Sequence, residues 1–150
     1  MVNHGLFTSV KDSWTTPRDL YDSLDAHFNF TLDAAALQSS TLVPSNWFGP
    51  DHPEQARQNA LNCDWKAASL GGTVWLNPPY GRAIKGFMAK ADEEAKKGTT
   101  IVCLVPARTD TAWWWDSVIH HEVRFIRGRL RFGGSSNSAP FPSAIVVMHG

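Results

Sequence analysis

The chain has 150 residues, 43% hydrophobic and 19% charged, which is enough to bury the core of one domain. Fourteen basic residues balance fourteen acidic ones, so no global charge marks a nucleic-acid binder and any such role must rest on local patches. No segment is long and apolar enough to span a membrane, and the start, MVNHGLFTSVKDSW, lacks the basic and apolar regions of a signal peptide, so a soluble, intracellular protein with no membrane partner is expected.

One domain is expected over 1–150, with 1–12 flexible. TTPRDLYDSLDAHF reads as a helix: Thr16 is placed to cap it, Pro17 suits the first turn and Asp19 the third helical position. Leu20, Leu24 and Phe28 recur every four residues as one apolar stripe. FNFTLD alternates Phe28, Phe30 and Leu32 inward and reads as a strand with Asp33 at its exit, followed by Ala34, Ala35 and Ala36. Residues 38 to 64 are polar and rich in Pro, Asn and Gln. They read as one long loop with room for a short helix, and loops of that length are commonly functional. TVWL is a second buried strand. Ile84, Phe87, Met88, Ala91 and Ala95 then mark a helical face that runs out at Lys96, Lys97 and Gly98. TIVCLV is apolar throughout, as expected of a strand covered on both faces. TAWWWDSVIHH reads as a helix, EVRFI and RLRF as two strands of a hairpin turning at Gly128, and SAIVVM as the last strand.

Alternating strands and helices, with fully apolar strands, predict an open α/β sheet, mostly parallel, with an antiparallel hairpin near the C-terminus. Such sheets bind ligands at the carboxyl ends of their strands. Asp33, the stretch Asn77 to Tyr80, and Pro106 to Arg108 all fall at such ends.

The stretch Asn77-Pro78-Pro79-Tyr80 carries the most specific chemistry. Each proline restricts the residue before it to extended backbone, and neither offers an N–H. The segment therefore presents a stiff array of acceptors: carbonyl oxygens and the Asn77 amide oxygen. That array suits an NH2 group, and Tyr80 adds a flat ring to stack on something planar. An amino group on an aromatic ring fits both. Its nitrogen is a poor nucleophile because the lone pair is delocalised. Two acceptors holding both N–H bonds, Asn77 Oδ1 and the Pro78 carbonyl, favour a pyramidal nitrogen, and the hold strengthens as positive charge develops.

The motif resembles that of amino-methyltransferases using S-adenosylmethionine. The whole chain is similar to the phage-type DNA N-6-adenine methyltransferases, the Dam family. WTTPRDLYDSL, FTLDAAA, WLNPPYG, MAKADEEAKKG, VPARTDTAWW, IRGRLRF and APFPSAIVVM occur in the family's order and cover nearly all of residues 14 to 148. The resemblance implies a Rossmann-like methyltransferase fold, S-adenosylmethionine as cofactor, and adenine in DNA as substrate, in a phage-encoded protein working in the host cytoplasm. It places Asn77 and Pro78 on the adenine amino group, with Pro79 stiffening the motif. It stacks Tyr80 on a base flipped out of the helix. Thr16 and Pro17 match an element beside the cofactor's methionine part, and Asp33 matches an acid near the methionine ammonium. Asp51 is a candidate for the ribose hydroxyls. Asn59 stands near a position where relatives often carry an acid for the cofactor's adenine, with Asp64 as the alternative. The chain departs from many methyltransferases in one respect: Ala34 and Ala35 stand where a G-x-G loop would follow the first strand. The same motif also serves enzymes acting on RNA bases or protein glutamine. A catalytically inactive binding relative remains the third alternative.

DNA contacts are expected from Arg108 at the mouth of the site and from Arg127, Arg129 and Arg131. Arg129 and Arg131 would share one face of the hairpin, while Leu130 and Phe132 take the other. No separate target-recognition module is expected, so specificity falls to the 38–64 loop, to GGSSNSAP at 133–140, or to a partner subunit. Trp113, Trp114 and Trp115 point in different directions from a helix, which suits core packing or a subunit interface and leaves a homodimer open. Cys63 and Cys103 read as ordinary thiols. His120 and His121 are adjacent and read as unsupported by other ligands, so no metal site is expected.

Overall fold

The computed structural model of the chain describes residues 14–133 and 137–150. The expected flexible segment 1–12 and the centre of the 133–140 loop lie outside the described residues.

The first helix, α1, spans Arg18–Phe28 and ends because Asn29 turns left-handed at φ 57°. Its buried side chains are Tyr21 and Leu24. Tyr21 was not in the expected stripe, yet its ring meets those of Phe30 and Trp75 at 5.4 Å each. Thr16 does not cap this helix. Pro17 holds the cap position and no side chain bonds there. Phe28 is the last helical residue, so the first strand, β1, is only Phe30–Asp33.

The long connection that follows is ordered from within. Two 3-10 turns, Gln55–Arg57 and Ala60–Asn62, precede a one-turn helix α2, Trp65–Ala68. Asn46 donates to the Thr31 and Ala68 carbonyls at 2.8 and 2.7 Å and accepts from Arg57 at 2.8 Å. These bonds lay residues 46–48 alongside β1, where Trp47 bridges to Asp33. Gly49 makes the return possible, since a Cβ there would stand 1.8 Å from the Ala36 carbonyl oxygen.

The strands β2 (Thr73–Leu76), β3 (Ile101–Pro106), β4 (Glu122–Phe125) and β5 (Ser143–Met148) complete a five-stranded sheet in the order β1-β2-β3-β5-β4. β1, β2 and β3 are parallel, while β5 opposes both β3 and β4. Four strands thus run one way and β5 runs against them. Every residue of β3 and β5 is buried, as their uninterrupted apolar sequence implies. Between β2 and β3 lies α3, Ile84–Lys96, with all five expected core residues buried. α4 covers only Ala112–Ser117. It buries Trp113 and Trp114 and leaves Trp115 62% exposed.

The expected hairpin is corrected. β4 pairs with β5 across a long connection, and RLRF forms no strand. Gly128 takes φ 79°, but the chain beyond it crosses the carboxyl ends of the strands instead of returning along β4. Gly133 there donates to the Thr15 carbonyl, and Ala139 to that of Leu130. The crossing is held because Phe132 and Phe141 bury against Tyr80. Among the described residues no helix is long and apolar enough to cross a membrane.

Candidate active site

β1 and β2 end side by side, with Asp33 in register with Trp75, two residues before Asn77. Both ends carry a buried oxygen that has no hydrogen-bond partner among the described residues. These are Asp33 Oδ1 and Asn77 Oδ1.

The Asn77 amide is oriented by its donors. Nδ2 donates to the Trp14 carbonyl and to Thr16 Oγ1, the latter at 3.0 Å. A carbonyl only accepts, so the nitrogen must face Trp14 and the oxygen must face away. Thr16 is thereby a positioning residue for Asn77, a role that displaces its expected capping. Pro78 and Pro79 are buried and keep the segment extended. Gly81, at φ 88°, then lets the chain turn into α3, a conformation a side chain would resist.

Tyr80 is only 4% exposed. Its hydroxyl donates to the Leu104 carbonyl at 3.2 Å, and burial pushes the phenol well above its ordinary pKa, so it stays protonated. The ring sits among aromatics. Trp14 stacks on it at 6.5 Å, and Phe132 and Phe141 meet it edge-on at 6.2 and 5.6 Å. Arg108 lies over the Phe141 ring at 5.6 Å, so its guanidinium stands at this aromatic group.

Asp33 is 3% exposed. Its Oδ2 accepts from Leu42 N at 2.9 Å and Thr41 Oγ1 at 3.3 Å. Burial raises its pKa from 3.8 to about 7, against the pull of the Leu42 and Ala35 amides and the Thr41 hydroxyl. The Ala35 amide acts on the charge without meeting Oδ1 in bonding geometry. Ala34 is fully buried behind it.

Three other unpartnered buried oxygens occur among the described residues. Glu94 Oε2 has the Lys97 ammonium at 3.0 Å, and Thr99 precedes β3. Ser143, opposite Pro106, stands at the same sheet end as Asp33 and Asn77. Sequence reasoning missed Ser143, Trp14, Phe132 and Phe141. Only the aromatic character of three of them was a signal.

The remaining sequence candidates are less concentrated. Asp51 is exposed and accepts the Gln38 amide at 3.0 and 3.3 Å. Asn59 caps a 3-10 turn through Leu61 N, and Asp64 caps α2 through Ala67 N. Arg127, Arg129 and Arg131 are exposed, and Arg129 reaches the Ala139 carbonyl at 3.5 Å. The inside-outside alternation of RLRF survives without a ladder, since Phe132 is buried and Leu130 half-buried. Arg124 is not free to join them, being paired with Glu122.

The family model described as DNA N-6-adenine-methyltransferase (Dam) matches residues 4–147. The chain belongs to the Dam family. Within it, the chain is similar to a DNA N-6-adenine-methyltransferase of Escherichia phage T1, with 31% identity over 110 residues. That stretch covers 73% of this chain but 42% of the phage T1 protein, so the match accounts for less than half of the relative's length. The matched range of the Dam family model includes Asp33 and Asn77-Pro78-Pro79-Tyr80.

Proposed function

We propose that this protein methylates the N6 amino group of adenine in DNA, using S-adenosylmethionine. The observation that carries the reading is the Asn77 amide: both of its N–H bonds are taken, and its oxygen is left buried and unpartnered beside Pro78. An unsatisfied buried acceptor costs on the order of 1–3 kcal/mol. A substrate NH2 removes that cost. Asn77 Oδ1 and the Pro78 carbonyl accept one N–H each and hold the nitrogen with its lone pair directed away from both. The hold tightens as charge develops on nitrogen, so it acts chiefly in the transition state. The acceptors are in place beforehand because the prolines fix the backbone and Thr16 fixes the amide.

The sheet, with β5 as the one opposed strand, is compatible with a Rossmann-like methyltransferase fold, and we read it so. The cofactor fits the chemistry of the β1 end. Asp33 Oδ1 lacks a partner in a site deep enough to raise the carboxyl pKa, and an ammonium would supply both a donor and a countercharge. When bound, S-adenosylmethionine supplies an electrophilic methyl group. Thr16, Pro17 and Ala34 would line its methionine part. Asp51 and Asn59 keep lone pairs free after their backbone bonds, which suits ribose hydroxyls and the cofactor's adenine. Their assignment rests on the family pattern.

The base would stack on Tyr80. Trp14 now covers that ring, so base capture moves Trp14 aside and takes its place. Arg108 stands where a phosphate near a flipped base would pass, and Arg127, Arg129 and Arg131 offer further phosphate contacts. The deciding experiment incubates purified protein with radiolabelled S-adenosylmethionine and unmethylated DNA, followed by nucleoside analysis. Label in N6-methyldeoxyadenosine is expected. Cofactor binding by calorimetry without any labelled DNA would overturn the substrate assignment.

A further inference from the structure

Away from the active site, the fold gathers three side chains that the sequence keeps apart. Asp92 lies in the third turn of α3, and His120 and His121 follow α4. His120 Nε2 and His121 Nε2 converge on the same carboxylate oxygen, Asp92 Oδ1, at 2.9 and 2.7 Å. The two imidazole rings stand 4.3 Å apart. The three donor atoms lie within 4.8 Å of one another. The expectation that the histidines lack a third ligand is therefore corrected: Asp92 is 28 and 29 residues away in sequence but beside them in space.

We propose that Asp92, His120 and His121 bind one divalent transition-metal ion of the zinc class. Two imidazole nitrogens and one carboxylate oxygen form a zinc-type donor set. Imidazole disfavours magnesium and calcium, which take oxygen ligands. Metal–ligand bonds of about 2.0–2.1 Å in a tetrahedron separate the ligand atoms by about 3.3 Å. The present 2.7 and 2.9 Å need to open by only about half an ångström, well within the reach of side-chain rotation. Asp92 has a second oxygen, and Lys96 holds it at 3.0 Å. That ion pair orients the carboxylate while leaving Oδ1 for the metal, as an outer partner does in established sites. His121 and Asp92 are nearly buried, and the His120 side chain, 46% exposed, opens the site to solvent.

The position assigns a role. β4 starts at Glu122, directly after His121, and runs with β1 to β3. The cluster therefore sits at the amino ends of the strands, and Asp33 and Asn77 sit at the carboxyl ends. The metal would clamp α3 to the corner between α4 and β4 and take no part in methyl transfer.

The test titrates untagged, full-length protein with Zn2+ by calorimetry and with Co2+ by absorption spectroscopy. One equivalent of zinc is expected, with a rise in Tm on the order of 5 °C at a hundredfold excess over Kd. Co2+ should give the intense visible bands of a tetrahedral site. Asp92→Asn and His121→Ala should each weaken binding by at least about tenfold. His120→Ala, the exposed position, should do so with the fold intact by circular dichroism. The proposal is overturned by the absence of uptake below millimolar metal, by unchanged affinity in folded His120→Ala, or by a thiolate charge-transfer band that assigns the metal to Cys63.

Discussion

The carboxyl ends of β1 and β2 and the connection at 38–64 are both polar regions beside the same strand, and they treat their polar groups in opposite ways. In the connection, side chains are spent on the backbone. Asn46 serves Thr31 and Ala68, Asp51 serves Gln38, Asn59 serves Leu61 and Asp64 serves Ala67. At the strand ends, Asp33 and Asn77 each keep one buried oxygen unserved. Polar residues that complete the fold and those we propose to meet a ligand thus look alike in composition and differ in what remains unpaired among the described residues.

The largest expected effect breaks the second region. Asn77→Ala removes the amide acceptor and should lower the methyl-transfer rate by about two to three orders of magnitude, while cofactor binding persists. Rate measurements beside cofactor calorimetry check this, and near-normal turnover would end the proposed role of Asn77.

Asp33→Asn should act in two opposed directions. Cofactor affinity should fall at least about tenfold with the loss of a charge-assisted bond. Stability should instead become less dependent on pH. In the wild type the folded carboxyl titrates near pH 7 and the unfolded one near 3.8. Between those values the folded state holds a proton that the unfolded state has released. Stability therefore falls as pH rises through that window, by on the order of 4 kcal/mol in all, and is level above it. Urea unfolding from pH 4 to 8 reads that slope, which Asp33→Asn should flatten. By the same linkage, cofactor affinity in the wild type should weaken as pH drops below about 7, because the carboxylate must ionise to meet an ammonium.

In the connection, Asn46→Ala leaves the Thr31 and Ala68 carbonyls and Arg57 without their partner. It should destabilise by about 2–3 kcal/mol, with transfer chemistry preserved in the folded fraction. Asn59→Ala should cost about 1 kcal/mol through the lost cap, together with a several-fold loss of cofactor affinity. Unchanged affinity would return Asn59 to a purely structural role. The smallest effect is Tyr80→Phe. It frees the Leu104 carbonyl at a cost of about 1 kcal/mol and retains the stacking ring, so turnover should change little. Tyr80→Ala should weaken base capture far more, as DNA binding and KM would report.

Local patterns sufficed for what depends on neighbours in the chain. The apolar face of α3 was legible because five residues repeat at helical spacing, and β3 and β5 because they are apolar without a break. The stiffness and acceptor character of Asn77-Pro78-Pro79 follow from proline covalent geometry and the Asn77 amide, and the proposed NH2 ligand was inferred from that acceptor character. The family resemblance, carried by motifs spread over most of the chain, belongs with them.

Tertiary structure decided whatever depends on partners far away. RLRF alternates as a strand would, yet it joins no ladder and Phe132 is buried against Tyr80. Thr16 reads as a helix cap, but Asn77, 61 residues on, claims its hydroxyl. Trp14 covers Tyr80, and Asp92 meets His120 and His121, through contacts that no spacing encodes. The physical reason is common to all of them. Periodicity and covalent restriction act within a few residues, and hydrogen-bond satisfaction is settled only when the whole chain has packed. Which oxygens are left without a donor is therefore a property of the fold.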